Sequence, residues 1–392
     1  MAEIVAMRGV VQRVFQEHYH AYYREHGVSE REARAARAMM TCRTAAQGYH
    51  LWSCPSGDYE LKQFNSCKHR SCPLCGATET ERWVQAQEAR ALFCPYHQIV
   101  FTQPHELQPL WFYNRARFTN LFFQAAWQTL RAFWRDPHWL GAEPGALAIF
   151  QTWDEMQQTH VHLHVLMTAG GLTKDGRWQP AASSFLFPSR AVAEGFRGRL
   201  CAGLMRALRA GELRLPPPGN ERDWQRQINC LAHERWHVQI QPPYSHPRAL
   251  ILYLARYLRR GPIAESRISA YQHDQLTIRH KRPGAQRPET FRLSASDFIR
   301  RLLVHVPPKG QRVVRAYGLF HHRRAAQLAQ ARAQLPPPAA TSFSPRTPAA
   351  QSGFADETAL RVGVRRCPRC HAQLTVTVRY YPPRAGPERI AA

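Results

Sequence analysis

His160-Val161-His162-Leu163-His164, followed by Val165-Leu166-Met167, is the stretch that decides the reading of this chain. As a β-strand it sends alternate side chains to opposite faces. His160, His162 and His164 then share one face, while Val161, Leu163 and Val165 point into a core. Neutral imidazole is the commonest protein metal ligand, so such a face is half of a metal site. The alternative is a polar strand face that happens to carry histidine. In a chain with 20 histidines, one or two on a strand would mean little. Three at strict period two, backed by apolar residues, favour the metal.

A partner strand lies just upstream. Ala146 to Trp153 reads as a strand, and the polar segment Asp154 to Thr159 turns the chain back. With the turn centred near Met156 and Gln157, Gln151 falls across from His162. Cross-strand neighbours share a face, so Gln151 is a candidate third ligand or a donor to a ligand. A register slip of one residue would remove it.

The chain has 392 residues, room for two or three domains. Its formal net charge of +25 predicts a polyanionic partner, with nucleic acid as the default. A membrane surface is the competing reading, but no long uncharged apolar run indicates a span. Residues 1–15 carry Glu3, Arg8 and Arg13 and lack an apolar signal core. A cytoplasmic, nucleoid-associated protein is therefore expected.

Of the 10 cysteines, five fall between Cys42 and Cys75. In a reducing compartment such clustering favours metal over disulfide. Cys72-x-x-Cys75 has the spacing of a structural zinc knuckle, and a closed tetrahedral site needs four ligands. Cys54, Cys67, Cys72 and Cys75 are the simplest set, with His50 and His69 as substitutes. Cys42 and Cys94 read as buried thiols outside the site.

Residues 1–40 pattern as helix, as do Glu79 to Leu92, Leu107 to Trp134 and Ala191 to Ala210. Gln98 to Thr102, Phe185 to Pro188 and His233 to Gln241 read as strands, and Leu215 to Asn220 as a loop. Arg267 to Leu293 alternates like a β-hairpin. Ser294 to Leu303 is a helix with Ser294 as its N-cap and Asp297 in its first turn. Leu335 to Phe354 is a Pro/Ala/Ser/Thr-rich linker. Beyond it, Cys367-Pro368-Arg369-Cys370 is a single knuckle, followed by a strand from Leu374 to Tyr380. One knuckle alone is half of a zinc ribbon.

A second chemical stretch is Leu252-Tyr253-Leu254-Ala255-Arg256-Tyr257-Leu258-Arg259-Arg260. Tyr253 and Tyr257 are four apart and share a helix face. Two tyrosines at this spacing usually signify packing; the histidine strand and the adjoining Arg256, Arg259 and Arg260 favour chemistry. Residues 246–332 hold 18 Lys or Arg against four acids, which favours phosphate contact over a merely solvated face.

Taken together, these motifs resemble the rolling-circle insertion-sequence transposases of the HUH endonuclease superfamily, the insertion-sequence-ninety-one type. The resemblance runs from about Cys42 to Arg324. It includes Asn65-Ser66-Cys67 through Cys75, Gln151-Thr152 ahead of the histidines, Gly170-Gly171-Leu172, and Phe185 to Pro188. The longest match joins Tyr253-Leu254-Ala255-Arg256-Tyr257 to Pro262 through Arg267. Phe298-Ile299-Arg300-Arg301, His305-Val306 and Tyr317-Gly318 complete it. One departure is Gly57, where the family usually has a further knuckle cysteine.

The resemblance implies an α+β fold: an HUH domain with a central antiparallel sheet flanked by helices, preceded by a small zinc-binding domain. The expected boundaries are 1–95 for the helical and zinc-binding part and 96–332 for the catalytic domain. A linker at 333–360 and a CxxC tail at 361–392 follow. It implies Mg²⁺ or Mn²⁺ on His162 and His164, with His160 or Gln151 nearby, and Zn²⁺ on the cysteines. Tyr253 and Tyr257 are the implied nucleophiles, forming a covalent 5′-phosphotyrosine with single-stranded DNA at element ends and target. Arg256, Arg259, Arg260, Arg300 and Arg301 are candidate DNA contacts. No Walker-type loop appears, so no nucleotide cofactor is expected and strand opening falls to a host helicase or replication factor. The rival readings are a plasmid relaxase or replication initiator, and a non-catalytic zinc-containing DNA-binding protein.

Overall fold

The computed structural model describes residues 9–181, 187–245, 251–252, 255, 261–281, 287–335 and 365–382. Tyr253, Tyr257, Arg256, Arg259 and Arg260 lie outside them, as do most of the linker and Phe185 and Leu186.

In chain order the elements are α1 (Val10–His26), α2 (Glu30–Thr41), β1 (Tyr49–Ser53), β2 (Glu60–Phe64), α3 (Pro73–Glu88) and β3 (Tyr96–Thr102). Next come α4 (Gln108–Tyr113), α5 (Arg115–Arg135), β4 (Gly145–Trp153), β5 (Thr159–Thr168), β6 (Gly170–Leu172) and β7 (Trp178–Pro180). They are followed by α6 (Ser189–Arg209), α7 (Glu221–His233), β8 (Val238–Ile240), β9 (Ile268–Gln272), β10 (Gln275–His280) and β11 (Glu289–Ser294). The remainder are α8 (Ala295–Leu303), β12 (Val314–Gly318), α9 (Ala325–Ala333) and β13 (Thr375–Tyr380). The chain divides into two compact units. One takes its described residues from 1–82, 259–306 and 350–392, the other from 83–258 and 307–349.

The first unit is built on α1, α2 and α8, whose apolar faces meet one side of the sheet β11-β10-β9. Phe15, Phe298, Ile299, Leu276 and Ile278 are fully enclosed there. Burial of each such side chain contributes about 1.5–3 kcal/mol. Ser29 and Glu32 close a capping box at the start of α2. Ser294 accepts from the Asp297 amide and caps α8. The amides of Gly9 and Val11, at the start of α1, donate to the Glu265 carboxylate at 2.8 and 3.3 Å. A carboxylate is favoured at a helix N-terminus, and this one ties the 261–306 segment to the N-terminal helices. A second sheet, β13-β1-β2, pairs the hairpin after α2 with the C-terminal strand.

The second unit is a five-stranded antiparallel sheet, β12-β4-β5-β3-β8, with β5 in the middle. Its β4–β5 turn is built by Asp154, whose Oδ1 accepts from the amides of Met156 and Gln158. Helices α5 and α6 cover one face through Phe122, Phe196 and Leu200, with Phe150 of β4 and Val161, Leu163 and Val165 of β5 beneath them. The opposite face is covered at one end by a separate core of Tyr96, Leu147, Ile149, Leu166, Ile251, Ala255 and Phe320. The fold is mixed α and β with a central antiparallel sheet and flanking helices, as expected. The strand read at His233 to Gln241 shortens to β8, because α7 runs through His233. Phe187 and Pro188 are not in a strand.

Candidate active site and cysteine clusters

The free end of the second sheet face carries the histidines. His160, His162 and His164 alternate with the core residues of β5, as period two requires. Ring centroids are 4.9 Å apart for His160 and His162 and 4.7 Å apart for His162 and His164. The pairing of β4 with β5 sets Gln151 directly opposite His162. On the other side, Thr102 of β3 faces His162, and Gln98 Nε2 lies 3.1 Å from His164 Nδ1. Gln98 carried no weight in the sequence reading, although it shares the site face of an otherwise largely apolar strand with Thr102.

Burial pushes the pKa of His162 well below its ordinary value, and the neighbouring His164 adds to the shift. Burial likewise lowers His164 to about 4, with His160 contributing. Both rings are neutral at pH 7 and keep a lone pair. His162 Nδ1 lies 2.9 Å from the His160 carbonyl. A carbonyl can only accept, so Nδ1 carries the proton and Nε2 is left as the ligand atom. In His164 the same tautomer requires the Gln98 amide oxygen to face Nδ1–H, an orientation that a turn of the amide supplies.

Gln151 is 5% exposed and its Oε1 has no hydrogen-bond partner. A buried acceptor left unpaired costs about 1–3 kcal/mol. An oxygen held at that cost beside two neutral imidazoles is a donor set that fits a divalent cation. His160 does not complete it: among the described residues, no three His, Cys, Asp or Glu groups converge at the histidines. Ile251 and Ala255 bracket Tyr253 in the chain and lie in the core on this same sheet face. Arg300 is exposed on α8 of the first unit and pairs with Asp297 at 2.9 Å. Arg301 follows it on the same helix.

The cysteines group differently from the sequence reading. Cys42, Cys67, Cys72 and Cys75 bring their sulfurs within 4.8 Å of one another. Cys75 Sγ is 3.5 Å from both Cys42 and Cys67. Cys42, set aside as a buried thiol, is therefore the fourth member, and Cys54 is not. The β1–β2 hairpin explains the exchange. Cys42 and Cys67 flank its open end, whereas Cys54 sits in its turn, five residues further along. That is about 16 Å of strand at 3.3 Å per residue. Neither His50 nor His69 joins the group. Cys75 lies in the first turn of α3, where the helix dipole favours a thiolate. Hydrogen bonding from the thiols of Cys42, Cys67 and Cys72 holds it below its ordinary pKa. Four sulfurs in this arrangement suit tetrahedral zinc.

A central antiparallel sheet with imidazoles on one face, together with a four-cysteine cluster, fits a transposase with a zinc-binding domain, and the comparisons show that class. Residues 145–327 match a family model described as "Putative transposase". Residues 14–103 match the transposase zinc-binding domain of the IS91 type. A protein named "Putative transposase y4qJ" from Sinorhizobium fredii is 31% identical over 96% of each chain. The transposase for insertion sequence element IS801 from Pseudomonas savastanoi pv. phaseolicola is 30% identical, over 77% of this chain and 73% of its own. No solved structure matches. The chain belongs to the IS91/IS801 family of insertion-sequence transposases. No helix among the described residues is long and apolar enough to cross a membrane.

Proposed function

We propose that this transposase moves its element by rolling-circle transposition, cutting and rejoining single-stranded DNA through a covalent 5′-phosphotyrosine. The observation that carries this reading is the pair of neutral imidazoles, buried His162 and half-buried His164, beside the unpaired oxygen of Gln151. These three groups would hold Mg²⁺ or Mn²⁺, with water and DNA oxygens completing an oxygen-rich shell. Such an ion supplies charge neutralisation at a phosphoryl oxygen.

Tyr253 and Tyr257 are the proposed nucleophiles. The burial of Ile251 and Ala255 on the histidine face supports this, since they are near neighbours of both in the chain. A tyrosine oxygen forms a bond to phosphorus, the bond from phosphorus to the 3′ oxygen breaks, and that oxygen leaves as a hydroxyl after taking a proton. The ester bond conserves the energy of the phosphodiester, so rejoining needs no nucleotide. A second tyrosine allows a second strand to be cut while the first remains attached. The basic block over 246–332 supports binding of single-stranded DNA at element ends and target, with strand opening left to a host helicase or replication factor.

The test is a denaturing gel of the protein with labelled single strands carrying the element ends. Wild type should form an adduct that EDTA suppresses, and His162→Ala should form none while still binding DNA. Tyr253→Phe and Tyr257→Phe should each still nick but transpose poorly, and the double variant should form no adduct. An adduct that persists in the double variant refutes the assignment.

A further inference from the structure

Cys54, Cys367 and Cys370 form a second cysteine group within the first unit. Pairing of β1 with β13 brings the turn after β1 beside the knuckle that precedes β13. The three sulfurs lie within 4.8 Å of one another, with Cys54 and Cys370 3.2 Å apart. We propose that this group is a second zinc site, made of three thiolates, with its fourth position left to water or another exchangeable ligand.

The argument begins with what else could hold residues 365–382 in place. The surrounding core has just Cys54, Cys367 and Leu374 buried, with Trp52, Tyr59 and Ala372 packed against them. Val378, Tyr380 and Tyr381 of the same segment are exposed. Ordering the backbone costs about 1–2 kcal/mol per residue. So small a core and one edge pairing leave that cost largely unmet, and small folds in this position rely on a metal or disulfide.

The local chemistry fits thiolates. The Arg369 amide donates to Cys367 Sγ at 3.4 Å, just as the His69 amide donates to Cys67 Sγ at 3.4 Å in the four-cysteine cluster. Both are bonds from the residue two positions on, so the two knuckles share the same local turn. Arg365, Arg366 and Arg369 surround the knuckle in the chain. Three thiolates on one zinc carry a net charge of −1, which those cations balance. Zinc–sulfur bonds of 2.3 Å at tetrahedral angles set sulfurs about 3.8 Å apart, within the observed spread. All-sulfur coordination selects zinc, Cu(I) or iron–sulfur clusters among biological metals. Zinc is the one of these that functions with three protein ligands and one open position without redox chemistry.

The fourth position is open for a structural reason. Gly57, whose amide donates to the Cys54 carbonyl at 2.9 Å to close the turn, has no side chain to offer. Ser56 Oγ lies 3.5 Å from Cys370 Sγ, where its hydroxyl serves the sulfur. Among the described residues, no histidine or carboxylate joins the group.

The full chain, purified under reducing conditions, should contain two zinc ions by elemental analysis and native mass spectrometry. Cys54→Ser and Cys370→Ser should each leave one, with the helical circular dichroism of the wild type retained because the affected segment contributes a strand and no helix. Cobalt-substituted wild type should change its visible absorption when imidazole is added, and cobalt-substituted Cys370→Ser should not. One zinc in the wild type, a Cys54–Cys370 disulfide by mass, or a different metal copurifying at this group overturns the proposal. Absorption indifferent to imidazole overturns the open position.

Discussion

Replacing Gln151 by leucine should make the metal-free protein more stable and the enzyme inactive. Gln151 is 5% exposed, its Oε1 is unpaired, and its amide nitrogen donates a long bond, 3.3 Å, to the Trp153 carbonyl. Removing the orphaned oxygen recovers about 1–3 kcal/mol, against about 0.5–1.5 kcal/mol for the lost hydrogen bond. Leucine is one bond shorter but of similar bulk, and Ile149 lies two residues away on the same strand face. At the middle of both ranges the net gain is about 1 kcal/mol, or roughly 2–4 °C in Tm for a unit of this size. The assay is thermal unfolding followed by circular dichroism, first in EDTA and then with Mn²⁺. Wild type should gain stability from Mn²⁺, and Gln151→Leu should start higher and gain little. Adduct formation with labelled single strands should fall at least tenfold. A variant that melts below wild type in EDTA, or that cuts normally with the same metal dependence, refutes the reasoning.

Three further expectations follow from the geometry. Cys42→Ser should lose the zinc of the four-cysteine cluster and destabilise the first unit, whereas Cys94→Ser, a buried thiol outside the cluster, should keep it; equal zinc content in the two would contradict the grouping. Burial holds His97, His162 and His164 below the ordinary 6.5, so the unfolded chain binds more protons below about pH 6.5. Stability of the metal-free protein is therefore full above that value and falls as pH drops toward the folded pKa, about 4 for His164. Urea unfolding at pH 7.5 and pH 5 measures this, and His97→Gln should narrow the difference; a flat profile would refute it. Binding to single-stranded DNA should weaken steeply with salt, with a log–log slope of about −4 if roughly six phosphates are neutralised, and a flat titration would assign the positive charge to another role.

The histidine strand and its partner were legible because both signals are local. Period two sorts His162 from Leu163, and Asp154 marks the turn that sets Gln151 against His162. Ser294 announced α8 for the same reason. The cysteine grouping was not legible, because choosing Cys42 over Cys54 depends on the length and direction of a hairpin rather than on spacing. Nor did spacing join Cys54 to Cys367 and Cys370, which a strand pairing across most of the chain achieves. The edge strand β12 escaped because its five residues pair with a strand far upstream. The 261–306 segment was expected with the catalytic residues. It packs with the N-terminal helices instead, through contacts such as Glu265 with Gly9 that local patterning does not reveal.

The pairing of Trp52 with Val376 sets a timetable for synthesis. A ribosome adding about 5–20 residues per second needs roughly 15–65 s to travel from one strand to the other. Throughout that interval β1 and β2 are a two-stranded ribbon, a form that is marginal by itself in water. The outer edge of β1, which β13 later occupies, is open to any other chain that offers a strand. Translation that stops short of residue 375 leaves that edge open permanently. Premature stops late in the gene should therefore yield protein that aggregates or is degraded, even when every residue of β5 has been made.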